Sequence, residues 1–129
     1  MPNWAWSETV LTDVARALRQ WHDASSGFDT EGAIWGLDAH APREVICHND
    51  FAPYNCVFID GRFVGAIDFD LCSPGPRLWD MAYTAYRFVP LMPPAGAEVA
   101  DAEQERSPFA PSEVRSRLHL FLATYSIFR

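Results

Sequence analysis

The run His48-Asn49-Asp50-Phe51-Ala52-Pro53-Tyr54-Asn55, followed by Ile67-Asp68-Phe69-Asp70, constrains this chain more than any other feature. Between them lie two short runs rich in β-branched and aromatic residues, 56–59 and 62–67, joined by Asp60-Gly61. Both residues of that pair tolerate positive φ, so the pattern predicts a tight β-hairpin. The hairpin would bring Asn55 and Asp68, thirteen positions apart, to the same end of adjacent strands. Asp and Asn are common turn residues, and either half alone would be weak evidence. Two halves at matching separation make chance a poor account.

These residue types suit phosphoryl transfer. Moving a γ-phosphoryl group takes little covalent help, but it needs a divalent cation among the phosphate oxygens and a carboxylate beside the attacking hydroxyl. Asp50 is the candidate base or positioning residue. Asn55 and Asp68 are the candidate magnesium ligands, because magnesium prefers hard oxygen donors to imidazole or thiolate. Asp70 lies two residues beyond Asp68, so in an extended segment both carboxylates would face one side.

From these residues the chain resembles a known family. Val45-Ile46-Cys47-His48-Asn49-Asp50 through Asn55, then Gly65-Ala66-Ile67-Asp68-Phe69-Asp70, then Pro74-Gly75-Pro76-Arg77-Leu78-Trp79-Asp80, is similar to the aminoglycoside phosphotransferase and choline kinase group. The stretch around Asn55 and Pro74 also resembles sequences labelled trifolitoxin immunity proteins. The resemblance implies an α+β fold: the C-terminal lobe of a protein-kinase-like structure, mostly helical, with a small β-hairpin carrying the metal ligands. It implies Asp50 as the catalytic residue, Asn55 and Asp68 on magnesium, and His48 and Asp80 bracing the catalytic loop. ATP would be the co-substrate and a small-molecule hydroxyl the acceptor. Asp70 stands where protein kinases carry Gly.

A complete kinase of this type has a preceding lobe with a phosphate-covering glycine loop and a strand lysine. This chain has no Lys, and Gly27, Gly32 and Gly36 do not form a G-x-G-x-x-G pattern. No strand-rich segment precedes Val45. The expectation is therefore a single domain, 1–129, equivalent to a C-terminal lobe, with a catalytic loop at 46–56, a metal motif at 67–70 and a variable loop at 90–111. A nucleotide lobe, or a second chain, would have to complete it.

At 129 residues the chain can bury roughly two thirds of its unfolded surface. That is enough for one core. A hydrophobic fraction of 49% fits a packed domain, and a formal charge of -7 argues against a phosphate-backbone partner. Nucleic acid and membrane partners are not expected. The odd count of 3 cysteines (Cys47, Cys56 and Cys72), with no leader-like start, points to a reducing cytoplasm. Cys47 beside His48 invites a zinc or thiol reading, but no cysteine pair has the necessary spacing.

Elsewhere the periodicity predicts a helix from about Glu8 to Ala24, capped by Ser7, with Val10, Leu11, Val14, Leu18 and Trp21 on one face. His22 at its end reads as a packing residue. Residues 25–42 read as a loop in which Ile34, Trp35 and Leu37 dock on the core while His40 is exposed. Ser73-Pro74-Gly75-Pro76 reads as a turn. A second helix should run from about Arg77 to Val89, stopped by Pro90, with Trp79, Tyr83 and Tyr86 packed inward. Asp80 in its first turn suits the free amides there. Residues 90–111 hold five of the 10 prolines and read as an irregular loop. Ser112 should cap a last helix with Val114, Leu118, Phe121, Leu122 and Tyr125 on its apolar side.

Two function classes remain. One is a magnesium- and ATP-dependent phosphotransferase, favoured by the intact metal motif. The other is a non-catalytic immunity or ligand-binding protein, favoured by the missing nucleotide lobe. A hydrolase built on Asp68 and Asp70 would leave Asp50 and Asn55 without a role.

Overall fold

Three helices and two small antiparallel ribbons make up residues 2–91 and 108–127, the part of the chain that the computed structural model describes. The first helix, α1 (Glu8–Ser25), starts at Ser7, whose hydroxyl accepts from the Val10 amide at 3.1 Å. That bond satisfies one of the amides that a helix start leaves without a partner. Val10, Leu11, Val14 and Leu18 are fully buried, as their three- and four-residue steps require. They meet Ala85 and Phe88 of α2 (Arg77–Phe88), Phe121 and Tyr125 of α3 (Pro111–Ile127), and Phe51 from the catalytic loop. Burying each large apolar side chain contributes about 1.5–3 kcal/mol, so this cluster sets the position of everything around it.

Two ribbons pack against α1. In the first, β1 (Val45–Cys47) pairs with β4 (Ser73–Gly75), Ile46 opposite Pro74. The turn expected at Ser73–Pro74–Gly75 is thus a short strand. Proline is admitted because a two-stranded ribbon has only edges, where an N–H is dispensable. In the second, β2 (Cys56–Ile59) pairs with β3 (Arg62–Ala66) from Cys56 opposite Ala66 to Ile59 opposite Arg62. Asp60 and Gly61 have φ of 50° and 73°, the doubly left-handed turn that the Asp-Gly pair predicts. Asp13 of α1 holds this hairpin through Arg62, at 2.8 and 2.9 Å, and through the Phe63 amide at 3.3 Å. The Arg62 guanidinium, aided by that amide, holds the Asp13 carboxyl below the usual carboxylate range against the opposing effect of burial.

Several packing expectations fail, each for a physical reason. On α2 the buried residues are Asp80, Thr84, Ala85 and Phe88, while Trp79 is half exposed and stacks on His40 at 4.0 Å between centroids. The helix turns Asp80 inward because buried amides await it there, and this rotates Trp79 and Tyr83 off the core. His40 is accordingly half-buried rather than exposed. Ile34 is 98% exposed and Leu37 is also exposed, so they do not dock on the core. Gly36 lies so close to the metal motif that a Cβ there would stand 1.8 Å from the Asp70 carbonyl oxygen. The 26–44 loop therefore braces the main chain after Asp68 by backbone packing.

The last helix begins at Pro111, one residue before the expected cap, and Glu113 rather than Ser112 reaches back to the Ala110 amide at 3.0 Å. Leu122 faces outward; the buried places beside Phe121 and Tyr125 go to Arg117 and Thr124. Arg117 donates at 2.8 Å to the carbonyls of Phe88, Val89 and Trp6, satisfying the end of α2 where Pro90 stops it. Most of the expected 90–111 loop, residues 92–107, lies outside the described residues.

Candidate active site

The loop that carries Asp50 is anchored from below by Asp80. This carboxylate, completely buried, accepts from the His48 amide at 2.9 Å and the Asn49 amide at 3.0 Å. It also accepts from His22 Nε2 at 2.8 Å. Asp80 thus serves the amides of this loop, the bracing that the family resemblance implies, rather than the free amides of its own helix's first turn. His22 in turn pairs through Nδ1 with the Tyr125 hydroxyl at 2.7 Å, and Arg77 donates to that hydroxyl at 3.1 Å. The chain α3–α1–α2–loop is thus joined by side-chain hydrogen bonds in which each buried polar atom has a partner.

His48 is buried beside the loop. Its Nε2–H donates to the Ile67 carbonyl at 2.9 Å, so Nδ1 is the acceptor for the Asp50 amide at 3.2 Å. One imidazole therefore ties the catalytic loop to the strand end leading into the metal motif. Asn49, at φ 69°, folds its amide back onto the Leu71 carbonyl and Ser73 hydroxyl, both at 2.8 Å. A short side chain that tolerates the left-handed region is what this corner requires.

The Asp50 carboxylate is half-buried and gathers three donors. Asn55 Nδ2 donates to Oδ2 at 2.9 Å, Tyr83 donates to Oδ1 at 2.7 Å, and Tyr54 donates to the same Oδ1. Partial burial by itself would push this carboxyl up, but the bonds from Tyr54, Tyr83 and Asn55 outweigh it and hold the group below the ordinary range. The converse holds for Tyr83, whose phenol is pushed up by burial and by its bonds to Tyr54 and Asp50. At neutral pH the arrangement is a carboxylate ringed by protonated hydroxyls.

Asn55 links this centre to the hairpin. Its side-chain amide is committed to Asp50, and its main-chain carbonyl accepts from the Ile67 amide at 2.8 Å. Asp68, the next residue, is exposed and sits at φ 59°. The hairpin thus places Asn55 and Asp68 one residue out of register at its open end. The segment after Asp68 is not extended: it turns at Asp70, with Cys72 N–H bonded to the Phe69 carbonyl at 3.1 Å. Asp68 and Asp70 are thus not held on one face as they would be in an extended segment. Among the described residues no group of three or more His, Cys, Asp or Glu side chains is gathered for a metal. The Asn55 side-chain oxygen and the Asp68 carboxylate are hard oxygen donors of the kind magnesium takes.

Tyr54, Tyr83, His22 and Tyr125 were not assigned to this network from sequence. His22 follows Val14 and Leu18 at four-residue steps, so its place on the buried stripe was visible; its partners, 58 and 103 residues away, were not. The cysteines are free, and burial first pushes the Cys47 thiol up to about 12, with the nearby Asp80 charge adding to it. Cys56 is pushed as far by burial. Thiolate chemistry has no place at this site.

The loop, brace and hairpin belong to a phosphotransferase lineage: residues 4–117 match the phosphotransferase enzyme family, and the chain belongs to it. The chain is also 34% identical over 74 residues to the trifolitoxin immunity protein of Rhizobium leguminosarum bv. trifolii, a match covering 54% of this chain and 28% of that protein. It therefore spans well under two thirds of that relative's length. No solved structure matches the chain. No helix among the described residues is long and apolar enough to cross a membrane.

Proposed function

We propose that this chain is the acceptor- and metal-binding lobe of a small-molecule kinase, transferring the γ-phosphoryl group of ATP to a hydroxyl. The observation that carries the proposal is the Asp50 carboxylate, oriented by Asn55 and tied through Asn55 and His48 to the strand end that presents Asp68. Asp50 orients the acceptor hydroxyl and takes its proton as the oxygen attacks phosphorus. Asn55 and Asp68 would hold magnesium, which when bound would neutralise charge on the phosphate oxygens. His48 and Asp80 keep the loop in register with the hairpin, and Asp70 lies beside the metal site without an assigned bond. The single-domain C-lobe reading of 1–129 belongs to this proposal, as does a cytoplasmic setting, which suits three free thiols.

The phosphate-gripping lysine is not in this chain, so the lobe by itself is expected to bind ATP poorly. Calorimetry with ATP and magnesium checks this, and a micromolar dissociation constant would overturn it. The metal site is tested by manganese broadening of NMR signals, which should centre on Asn55, Asp68 and Asp70. Broadening spread over the acidic stretch 98–105 instead would refute it. In a protein with a nucleotide lobe supplied, Asp50→Asn should lower turnover by roughly 10² while leaving the fold intact. Unchanged turnover would remove Asp50 from the mechanism. A second reading, a non-catalytic immunity or ligand-binding protein that keeps the acidic pocket, is favoured by the name of the rhizobial relative.

A further inference from the structure

Asp50 Oδ1 receives two phenol hydroxyls, one from Tyr54 and one from Tyr83. A carboxylate oxygen offers two in-plane lone pairs, so Oδ1 is full, while Oδ2 already holds the Asn55 amide. The two hydroxyl oxygens lie 3.0 Å apart, and with both protons directed at Asp50 neither has one to give the other. The tyrosines come from separate elements, Tyr54 from the short 3-10 turn Pro53–Asn55 and Tyr83 from α2. Tyr54 is 55% exposed, and the Arg87 guanidinium lies 5.0 Å from its ring centroid, covering one face. Tyr83 is half-buried on a helix and cannot swing freely.

An acceptor hydroxyl must make with the base the same O–H···O contact that these phenols make. We propose that Tyr54 and Tyr83 form a hydroxyl gate over Asp50, occupying the acceptor's place on Oδ1 and yielding it to a ligand hydroxyl when Tyr54 turns outward. The proposal rests on the reading of Asp50 as the acceptor-binding base and adds how that base is kept closed. Tyr54 is the moving part, since it is exposed and held by one hydrogen bond and one cation–π contact. Tyr83 stays in place, its hydroxyl left on Asp50 beside the incoming ligand. A ligand hydroxyl would offer Asp50 the same kind of charge-assisted bond that Tyr54 gives up, so the exchange needs no unfolding of its surroundings.

The gate is testable without nucleotide or acceptor. The full chain is treated with a water-soluble carbodiimide and glycine ethyl ester, and adducts are located by peptide mass spectrometry, with exposed Asp68 and Asp70 as internal references. In the unaltered chain Asp50 should label more slowly than Asp68. Tyr54→Phe and the double variant Tyr54→Phe/Tyr83→Phe should raise the Asp50 rate progressively, by roughly tenfold or more for the pair, which loses two hydrogen bonds to a charged group. The Asp68 rate should not move. Labelling of Asp50 at the Asp68 rate in the unaltered chain, or an Asp50 rate unmoved in both variants, would overturn the gate. Should the double variant fold poorly by circular dichroism, Tyr54→Phe alone, at an exposed ring, decides the matter. Phosphotransfer is not read in this assay, so failure of the gate and failure of the kinase reading are separate results.

Discussion

Asp80 is completely buried and its carboxylate is matched by the His48 and Asn49 amides and the His22 ring, whereas Asp68 is exposed and has no hydrogen-bond partner among the described residues. The contrast is what the proposed roles of the two ends would require. A loop that positions a base has to be rigid before any ligand arrives, and buried amides are costly unless something such as Asp80 satisfies them. A cation seat has to remain open, because magnesium keeps water or phosphate in much of its shell. Asp50 is half-buried, with hydrogen bonds from Tyr54, Tyr83 and Asn55 on its two oxygens. On the proposed reading, stability and function separate along a few residues: the core and brace carry the fold, and the hairpin mouth is spared that duty.

The largest expected effect is at the brace. Asp80→Ala leaves the His48 and Asn49 amides and the His22 ring without their acceptor in a buried site, and it should destabilise the chain by about 3–5 kcal/mol. Chemical denaturation measures this; a loss under 1 kcal/mol, on the order of an exposed substitution, would break the comparison. His22→Ala should come next at about 2–4 kcal/mol, since it removes a buried ring and two hydrogen bonds together. Tyr125→Phe, which deletes only the hydroxyl shared by His22 and Arg77, should cost about 1–2 kcal/mol. If Tyr125→Phe proves as costly as His22→Ala, the network is anchored from α3 rather than from Asp80.

The same division explains what could be read from the sequence. Local signals served well: Ser7 as a cap, the stripe Val10-Leu11-Val14-Leu18, the Asp60-Gly61 hairpin and the pairing that sets Asn55 near Asp68 all depend on neighbours a few residues apart. Asp50 and Asn55 stand together, joined at 2.9 Å. The misreadings arose where distant residues decide. Trp79 and Tyr83 look like core residues by spacing, but α2 is oriented by the buried demand of the loop amides for Asp80, which lies 32 residues from His48. Likewise Ser73–Gly75 looks like a turn until β1 is present to pair with it. Arg117 carries no local signal for burial; the arriving end of α2, with its carbonyls free, is what makes burying it favourable. Periodicity shows which residues share a face. It does not show which polar groups will be waiting opposite.

The smallest predicted effect on stability is at the open end, and it tests the comparison from the other side. Asp68 sits at φ 59°, a conformation Asn adopts as readily as Asp, so Asp68→Asn keeps the backbone unstrained while removing the charge. With no hydrogen bond to lose among the described residues, the variant should match the unaltered chain within about 0.5 kcal/mol in metal-free denaturation. Its manganese response should differ far more: broadening at Asn55 should fall, because a neutral amide is a poorer ligand for a hard dication than a carboxylate. A variant destabilised by about 2 kcal/mol or more would show that Asp68 belongs to the structural framework rather than to the mouth of the site. Unchanged stability with unchanged broadening would move the cation to other carboxylates and leave Asp68 as no more than the residue that lets the strand turn.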